Sequence, residues 1–395
     1  MMKRTIALCG AAAFLLAFLG GMLAFSLVVP SWATAQSSQE QEGRASAFTL
    51  VDADRTVLAS LPPASLGAPG STPFHAATEL HLEVPDPERA IRTELVSPGD
   101  TDPAIDGWSE PHYVAFDPNT SPRGRLFLYL GGGPGLSDSA RLLVDQGARN
   151  GFHAIALRYP GNALTAAGLQ AQCQADPDPA CMENYRREVL DGIDRTGNGD
   201  VDRANSIENR LLKLLSYLEA SHPNDGWSAF IAGDTPNWST IVAGGTSSGG
   251  TYAAVIAKQH IVARVCMFSA PVDQTLADSG LLPAPWLLAP HATPSERYYA
   301  FEHARNEGGV FGDNWEALGM AEFGSIVNVE SERPPYRGSH QLMTDATPAA
   351  VQDPQPFHQP FHFSVTNDQF TPMTADGLPL FAPVWQYLCF SDLAS

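Results

Sequence analysis

Ser239-Thr240-Ile241-Val242-Ala243-Gly244-Gly245-Thr246-Ser247-Ser248-Gly249-Gly250-Thr251-Tyr252-Ala253-Ala254-Val255-Ile256-Ala257-Lys258 decides how this chain is read. Its first part is apolar and β-prone, ending in glycine. Its last part is a run of small residues suited to a helix packed closely on a sheet. Between them, Gly245-Thr246-Ser247-Ser248-Gly249 fits the G-x-S-x-G pattern. There the serine takes a sharp strand-to-helix turn and flanking glycines let the backbone pass without clashes. A serine hydroxyl is a weak nucleophile and needs an exposed position, a base and donors for the developing oxyanion. Strand before and helix after supply the first of these, so Ser247 is the predicted nucleophile. The backbone N–H of Ser248 is the predicted first oxyanion donor.

Upstream, Arg125-Leu126-Phe127-Leu128-Tyr129-Leu130 runs nearly continuously apolar into Gly131-Gly132-Gly133-Pro134-Gly135. Such a run suits a strand buried on both faces. The glycines after it let N–H groups turn inward, which makes Gly132 and Gly133 the candidate second donors. A phosphate loop is disfavoured because no Lys-Ser/Thr pair follows. Further strands are expected at 79–84, 112–116, 152–159, 263–268, 297–301 and 339–343. Helices are expected near 139–146, 182–190 and 207–218, the last with apolar positions close to a 3.6-residue period. Strands alternating with helices predict an α/β fold with a mostly parallel central sheet and helices on both faces. One catalytic domain is expected over 76–395.

The general base of such a serine lies late in the chain, after the acid. His340, His358 and His362 are eligible. His362, in Pro360-Phe361-His362-Phe363-Ser364-Val365, is preferred because it follows the presumed last strand among apolar neighbours. The acid should follow the strand around Tyr298–Phe301. Glu307 is the first candidate, Asp313 and Asp273 are the alternatives, and Glu302 is also eligible. Spacing does not decide among them.

These residues resemble the α/β-hydrolase superfamily, in particular a poorly characterised group of exported bacterial α/β hydrolases. The resemblance runs from about Phe127 onward. It is carried by Cys173…Cys181, Trp238-Ser239-Thr240-Ile241 leading into Gly245–Gly250, the stretch Ala263–Asp273, Arg297-Tyr298-Tyr299-Ala300-Phe301 and His362-Phe363-Ser364-Val365. It implies an α/β-hydrolase fold, a Ser247–His362–acid triad and an acyl-enzyme, with no cofactor and no metal. The sequence departs from it twice. Thr246 stands where His is common, and Asn306 stands where Asp is expected, so Glu307 is a displaced acid or the acid lies elsewhere. Gly131-Gly132-Gly133-Pro134-Gly135 also resembles the His-Gly-Gly-Pro-Gly loop of proline iminopeptidases, with Leu130 replacing the His. The function expected is ester hydrolysis. An iminopeptidase-like exported peptidase and an inactive hydrolase fold used for binding are the alternatives.

The 395 residues are 44% hydrophobic, which suits a sizeable core, and the formal net charge is −20. That charge repels phosphate backbones, so nucleic acid is not an expected partner, while a small-molecule or acyl-ester substrate is. Lys3 and Arg4, an apolar run from Ile6 to about Val29, and Ala33-Thr34-Ala35 read as a signal peptide over 1–35. Export is therefore expected, with a membrane anchor as the alternative if the segment stays uncleaved. Residues 36–75 are rich in Ser, Ala, Gly and Pro and read as a flexible leader. Of five cysteines, Cys173 and Cys181 bracket a polar loop and are expected to form a disulfide; Cys266 and Cys389 read as buried thiols. Asp194, Asn198 and Gly199 match a calcium loop in part, without its usual carboxylates at the third and twelfth positions, and an ordinary acidic turn is the favoured reading. Leu281 to Pro294 is a candidate lid on length and proline content.

Overall fold

Leu126-Phe127-Leu128-Tyr129-Leu130 is buried along its whole length, and the chain is built outward from it. The computed structural model describes residues 84–391, apart from 134, 136, 162, 163, 165, 198–200, 308, 310 and 351–358. The signal-peptide and leader readings, the strand expected at 79–84 up to residue 83, His358, and Asn198 and Gly199 of the acidic turn lie outside the described residues.

The central sheet has nine strands: β1 (Arg92–Val96), β2 (His112–Phe116), β3 (Leu126–Leu130), β4 (His153–Leu157), β5 (Ile241–Thr246), β6 (Arg264–Phe268), β7 (Tyr298–His303), β8 (Val327–Asn328) and β9 (Gln341–Thr344). Their spatial order is β1-β2-β4-β3-β5-β6-β7-β9-β8. β1 and β2 pair antiparallel, β2 runs antiparallel to β4, and the remaining pairs are parallel. Parallel strands need crossovers, and helices supply them: α1 (Arg141–Arg149), α2 (Ala166–Ala175), α3 (Cys181–Asp191), α4 (Ile207–Ser221) and α5 (Ser248–Gln259).

The two-residue period of β3 sends its side chains into two cores. Leu126, Leu128 and Leu130 join Ile155, Leu157, Val265 and the apolar faces of α3, α4 and α5. Phe127 and Tyr129 join Ala154, Val242, Cys266, α1 and the C-terminal segment Ala382–Phe390. Each leucine removed from water this completely contributes roughly 1.5–3 kcal/mol. Together the two cores fix the sheet as a middle layer with cover on both faces, as the alternating pattern predicts.

The differences from the sequence reading have local causes. β1 is an edge strand whose burial alternates along Arg-Thr-Glu-Leu-Val, so its apolar signal is weak and it was not expected. The strand expected at 239–244 begins two residues later, because Trp238–Thr240 forms a 3-10 turn first. β9 is the last strand in the chain, as expected, but the two-residue β8, which was not expected, pairs outside it at the sheet edge. The lid candidate is partly a hairpin strand, Gly280–Pro283 against Gln274–Ala277, followed by a helical turn that buries Trp286 and Leu287. Cys173 and Cys181 form the expected disulfide, with Cα atoms 5.5 Å apart, and Cys266 and Cys389 are buried thiols. Trp227 and Trp238 are core residues. Among the described residues no helix is long and apolar enough to cross a membrane.

Candidate active site

The parallel strands all end on one edge of the sheet, the edge where side chains from different crossovers meet. Ser247 lies there, between β5 and α5, at φ 56° and ψ −125°. That conformation is strained for a residue with a Cβ and holds the half-buried side chain above the strand ends. Two contacts maintain it. The Ser247 N–H donates to the Phe268 carbonyl at 2.9 Å, and the Thr251 N–H donates back to the Ser247 carbonyl at 3.0 Å. Glycine is required at 249, where a Cβ would lie 1.9 Å from the Leu130 carbonyl oxygen. Strand order, the antiparallel β2 and this elbow decide the architecture. It is the α/β-hydrolase fold.

Within that fold the Gly131–Gly133 loop leaves β3 beside the elbow. A Cβ on Gly132 would come within 2.9 Å of the Thr246 carbonyl oxygen, 3.0 Å of Ser247 Cβ and 3.1 Å of Phe363 Cε1, so this backbone lies directly against the serine. The Tyr159 hydroxyl donates to the Gly131 carbonyl at 2.6 Å and fixes the loop's entry. Gly133 has φ 55°, which turns the chain. Ser248 is buried at the first position of α5, where the backbone N–H has no intrahelical partner.

Thr246, where His is common in the resemblance, is tied into the core by its hydroxyl. Its hydroxyl is 2.7 Å from that of Tyr129 and 2.5 Å from that of Thr366, all in the core between the elbow and the segment that carries His362. Beside this cluster, Gly132, Ser139, Phe363 and Asn367 help enclose a cavity of about 100 Å³.

His362 occupies the helical turn Pro360–Phe363 and is buried. Its carbonyl accepts the Ser269 hydroxyl at 2.8 Å, one residue beyond the carbonyl that holds Ser247. Serine and histidine are thereby tied to consecutive residues at the end of β6. Among the described residues no hydrogen bond joins the Ser247 hydroxyl to the ring. Such contacts are often long before substrate closes them. Burial pushes the imidazole down to about 4, opposed by the charge of Glu307, so the ring is neutral at pH 7.

The ring's partner is Asn306. His362 Nδ1 and Asn306 Oδ1 are 2.7 Å apart, and the amide oxygen accepts from Nδ1–H, which leaves Nε2 unprotonated. The other end of the amide, Nδ2, donates to Glu302 Oε2 at 3.2 Å. Glu302 is fully buried at the end of β7 and also accepts the Phe311 N–H. Burial pushes its carboxyl up to about 7, against these two donors.

The expected acids are placed elsewhere. The Glu307 carboxylate accepts the backbone N–H of Phe361 at 3.2 Å and of His362 at 2.7 Å, so it grips the turn and not the ring nitrogen. Asp273 is taken up by Arg186, at 2.7 and 3.2 Å, and by the Trp286 indole at 3.0 Å. Asp313 is exposed in the first turn of Gly312–Ala317. His340 precedes β9, at the opposite edge of the sheet, and stacks between Tyr299 and Phe323. Asp194 accepts the Gly197 N–H at 2.7 Å as a turn residue.

No protein-family model and no curated protein matches the chain. Solved structures similar to it include a Klebsiella pneumoniae subsp. pneumoniae MGH 78578 protein provisionally named dienelactone hydrolase, at 13% identity and TM-score 0.31, covering 64% of this chain and 84% of that one. EstE5 is similar at 16% identity and TM-score 0.29, covering 65% and 75%. A bacterial heroin esterase is similar at 14% identity and TM-score 0.28, covering 68% and 77%. At these values the superpositions are partial, and strand order with the elbow remains the ground for the fold.

Proposed function

We propose that the chain is an exported serine hydrolase that cleaves a carboxylic ester of a small molecule, with Ser247 as nucleophile and His362 as general base. Ser247 Oγ attacks the acyl carbon while His362 Nε2 takes its proton. The N–H groups of Ser248 and of the Gly132/Gly133 loop face the developing oxyanion. The imidazolium then protonates the departing alkoxide. Water, deprotonated by the same nitrogen, releases the acid from the acyl-enzyme.

The observation that carries this reading is the pairing of a strained serine on the elbow with a buried imidazole held at Nδ1 by an amide oxygen. Asn306 supports an ester over an amide substrate. A neutral amide orients the ring but does not offset the imidazolium charge as a carboxylate does, and that charge matters most when a poor leaving group must be protonated. An alkoxide leaves with less help from the acid than an amine does. Export is supported by the basic start, apolar run and Ala33-Thr34-Ala35 of the N-terminus and by the Cys173–Cys181 disulfide.

A fluorophosphonate probe tests the reading. The folded parent is expected to take up label at Ser247, and Ser247→Ala to take up none and to lose roughly 10³-fold or more in turnover. A folded parent that takes up no label would leave a binding protein on a hydrolase fold. A panel of p-nitrophenyl esters beside Pro-aminoacyl anilides then separates the substrate classes, and faster turnover of the anilides would overturn the ester reading.

A further inference from the structure

The peptide between Gly131 and Gly132 presents two polar groups, one on each side of its plane. Its carbonyl oxygen accepts the Tyr159 hydroxyl at 2.6 Å. Among the described residues its N–H, that of Gly132, donates to no acceptor. A trans peptide is planar and its C=O and N–H point in opposite directions, so holding one aims the other. The carbonyl points inward. Gly131 is buried, and its oxygen lies 2.8 Å from where a Cβ on Gly249 would stand, in the first turn of α5. The N–H therefore leaves on the outer side of the loop. Gly132 is half-buried there and rests on the elbow, where a Cβ added to it would come within 3.0 Å of Ser247 Cβ. We propose that Tyr159 is a positioning residue for the oxyanion hole: by holding the Gly131 carbonyl inward, it keeps the Gly132 N–H turned out over Ser247. This rests on the reading of Ser247 as the nucleophile.

The loop needs such a hold because of its composition. With glycine on both sides, a peptide plane can turn over without a side chain to obstruct it. Turned over, it would aim a carbonyl oxygen at the place where negative charge develops, and a donor would be lost. The Tyr159 hydroxyl is fully buried and finds its acceptor only when the carbonyl points inward, so a flip would leave a buried donor unpaired. The backbone around Tyr159 closes on the same loop. Its carbonyl accepts the Gly161 N–H at 2.8 Å. A Cβ on Gly135 would stand 2.6 Å from that carbonyl oxygen, and one on Gly161 would stand 2.9 Å from the Gly133 oxygen, so neither turn has room for a methyl group. On its other side the Tyr159 ring meets Tyr252 of α5 edge-on, with centroids 5.4 Å apart. Tyr252 is backed by the Arg186 guanidinium, 4.8 Å from its ring centre, and Arg186 is paired with Asp273 at 2.7 Å. Burial pushes the Tyr159 phenol well above its ordinary value, so it remains a donor wherever His362 is neutral.

Tyr159→Phe removes one oxygen and keeps the ring against Tyr252 and Gly135. It is expected to lower kcat by about 10- to 100-fold on the p-nitrophenyl ester that the parent turns over fastest, with KM within about twofold. An alkyl trifluoromethyl ketone, which an activated serine converts to a tetrahedral oxyanion, should lose affinity by the same factor as kcat/KM, because both depend on the same donor. A tyrosine that only supports the fold would change the melting temperature and neither of these. Parent kcat and parent ketone affinity in folded Tyr159→Phe therefore overturn the proposal. A second measurement uses the parent alone. In ¹H–¹⁵N spectra of the whole protein, the Gly132 amide proton is expected to move downfield when the ketone adduct forms, as it gains a charged acceptor. A Gly132 amide unmoved by the adduct overturns the proposal whatever the variant does. The proposal and the reading beneath it fail differently. A folded parent that takes up no fluorophosphonate and forms no ketone adduct removes both. A parent that labels at Ser247, beside a Tyr159→Phe form of undiminished kcat, removes the role of Tyr159 alone.

Discussion

Asn306 orients His362 with a dipole where a carboxylate would also supply charge, so its contribution is chiefly geometric. Removing it should leave a free-turning ring and nothing in its place. Asn306→Ala is expected to lower kcat by about 10²-fold or more with little change in KM, read from steady-state rates on an ester the parent turns over. Little of this was legible in the chain. Ser247 announced itself because the elbow is a local pattern of five residues, and His362 because it stands among apolar neighbours late in the sequence. Asn306 stood out only as a departure, where Asp was expected. Glu307 was the nearest carboxylate in sequence, but its reach ends at the backbone N–H groups of Phe361 and His362. A neighbour in sequence is not a neighbour of a given atom.

At the scale of elements, Asp273 illustrates what a carboxylate after a strand can do other than catalysis. It joins the end of β6 to α3 through Arg186 and to the turn Pro285–Leu288 through Trp286. Arg186 is fully buried, so truncating its partner leaves an uncompensated charge. Asp273→Ala is expected to destabilise the protein by about 3–5 kcal/mol in denaturant titration, while the fraction that stays folded still takes up the probe at Ser247. The disulfide is a milder staple. It closes a sequence separation of 8 residues between α2 and α3, for which loop entropy accounts for about 2.5 kcal/mol. Replacing Cys173 and Cys181 together by serine should lower the melting temperature by a few degrees with ester turnover at low temperature retained. Of the two helices the disulfide joins, α3 was outlined by the sequence, while α2 was not, since Leu169 is its only buried residue. β1 and β8 escaped because a half-exposed edge strand and a two-residue strand carry too few apolar residues to show a period.

At the scale of the whole molecule, buried histidines set the response to acid. His112 is held down to about 3 by burial and by the Arg210 and Arg158 charges, and its Nδ1 accepts the Arg158 N–H, a bond that protonation would break. Burial, with the Lys258 charge, holds His291 down to about 4; burial, with the Arg264 charge, does the same for His340; and burial does so for His362. Each folded value lies below the unfolded one, about 6.5, so between about 6.5 and 4 the unfolded chain binds more protons. Stability from these groups is complete above that window and falls as pH drops through it. Glu302 and Asp368, both pushed up to about 7 by burial, act in the opposite sense, contributing fully below the ordinary carboxylate range and losing ground as pH rises through 7. Chemical denaturation from pH 8 to 4 should therefore give a stability maximum between about pH 6 and 7, with a steep fall on the acid side. A flat profile down to pH 4 would show that these histidines are not buried in neutral form.

The amino-acid sequence by itself determined the layered α/β architecture, the elbow with Ser247 and the glycine loop beside it. Each rests on short-range rules: an apolar period, a β-prone run ending in glycine, a turn that only small residues allow. Tertiary structure alone decided what surrounds His362. Asn306 and His362 are 56 positions apart, and they meet because β7 lies between β6 and β9 and delivers its C-terminal end to the same edge as Ser247. Strand order is set by how two cores close around the whole sheet, and no local spacing carries that information. So it was packing that gave the ring an amide partner, with a buried carboxyl behind it, in place of the carboxylate the chain offered next door.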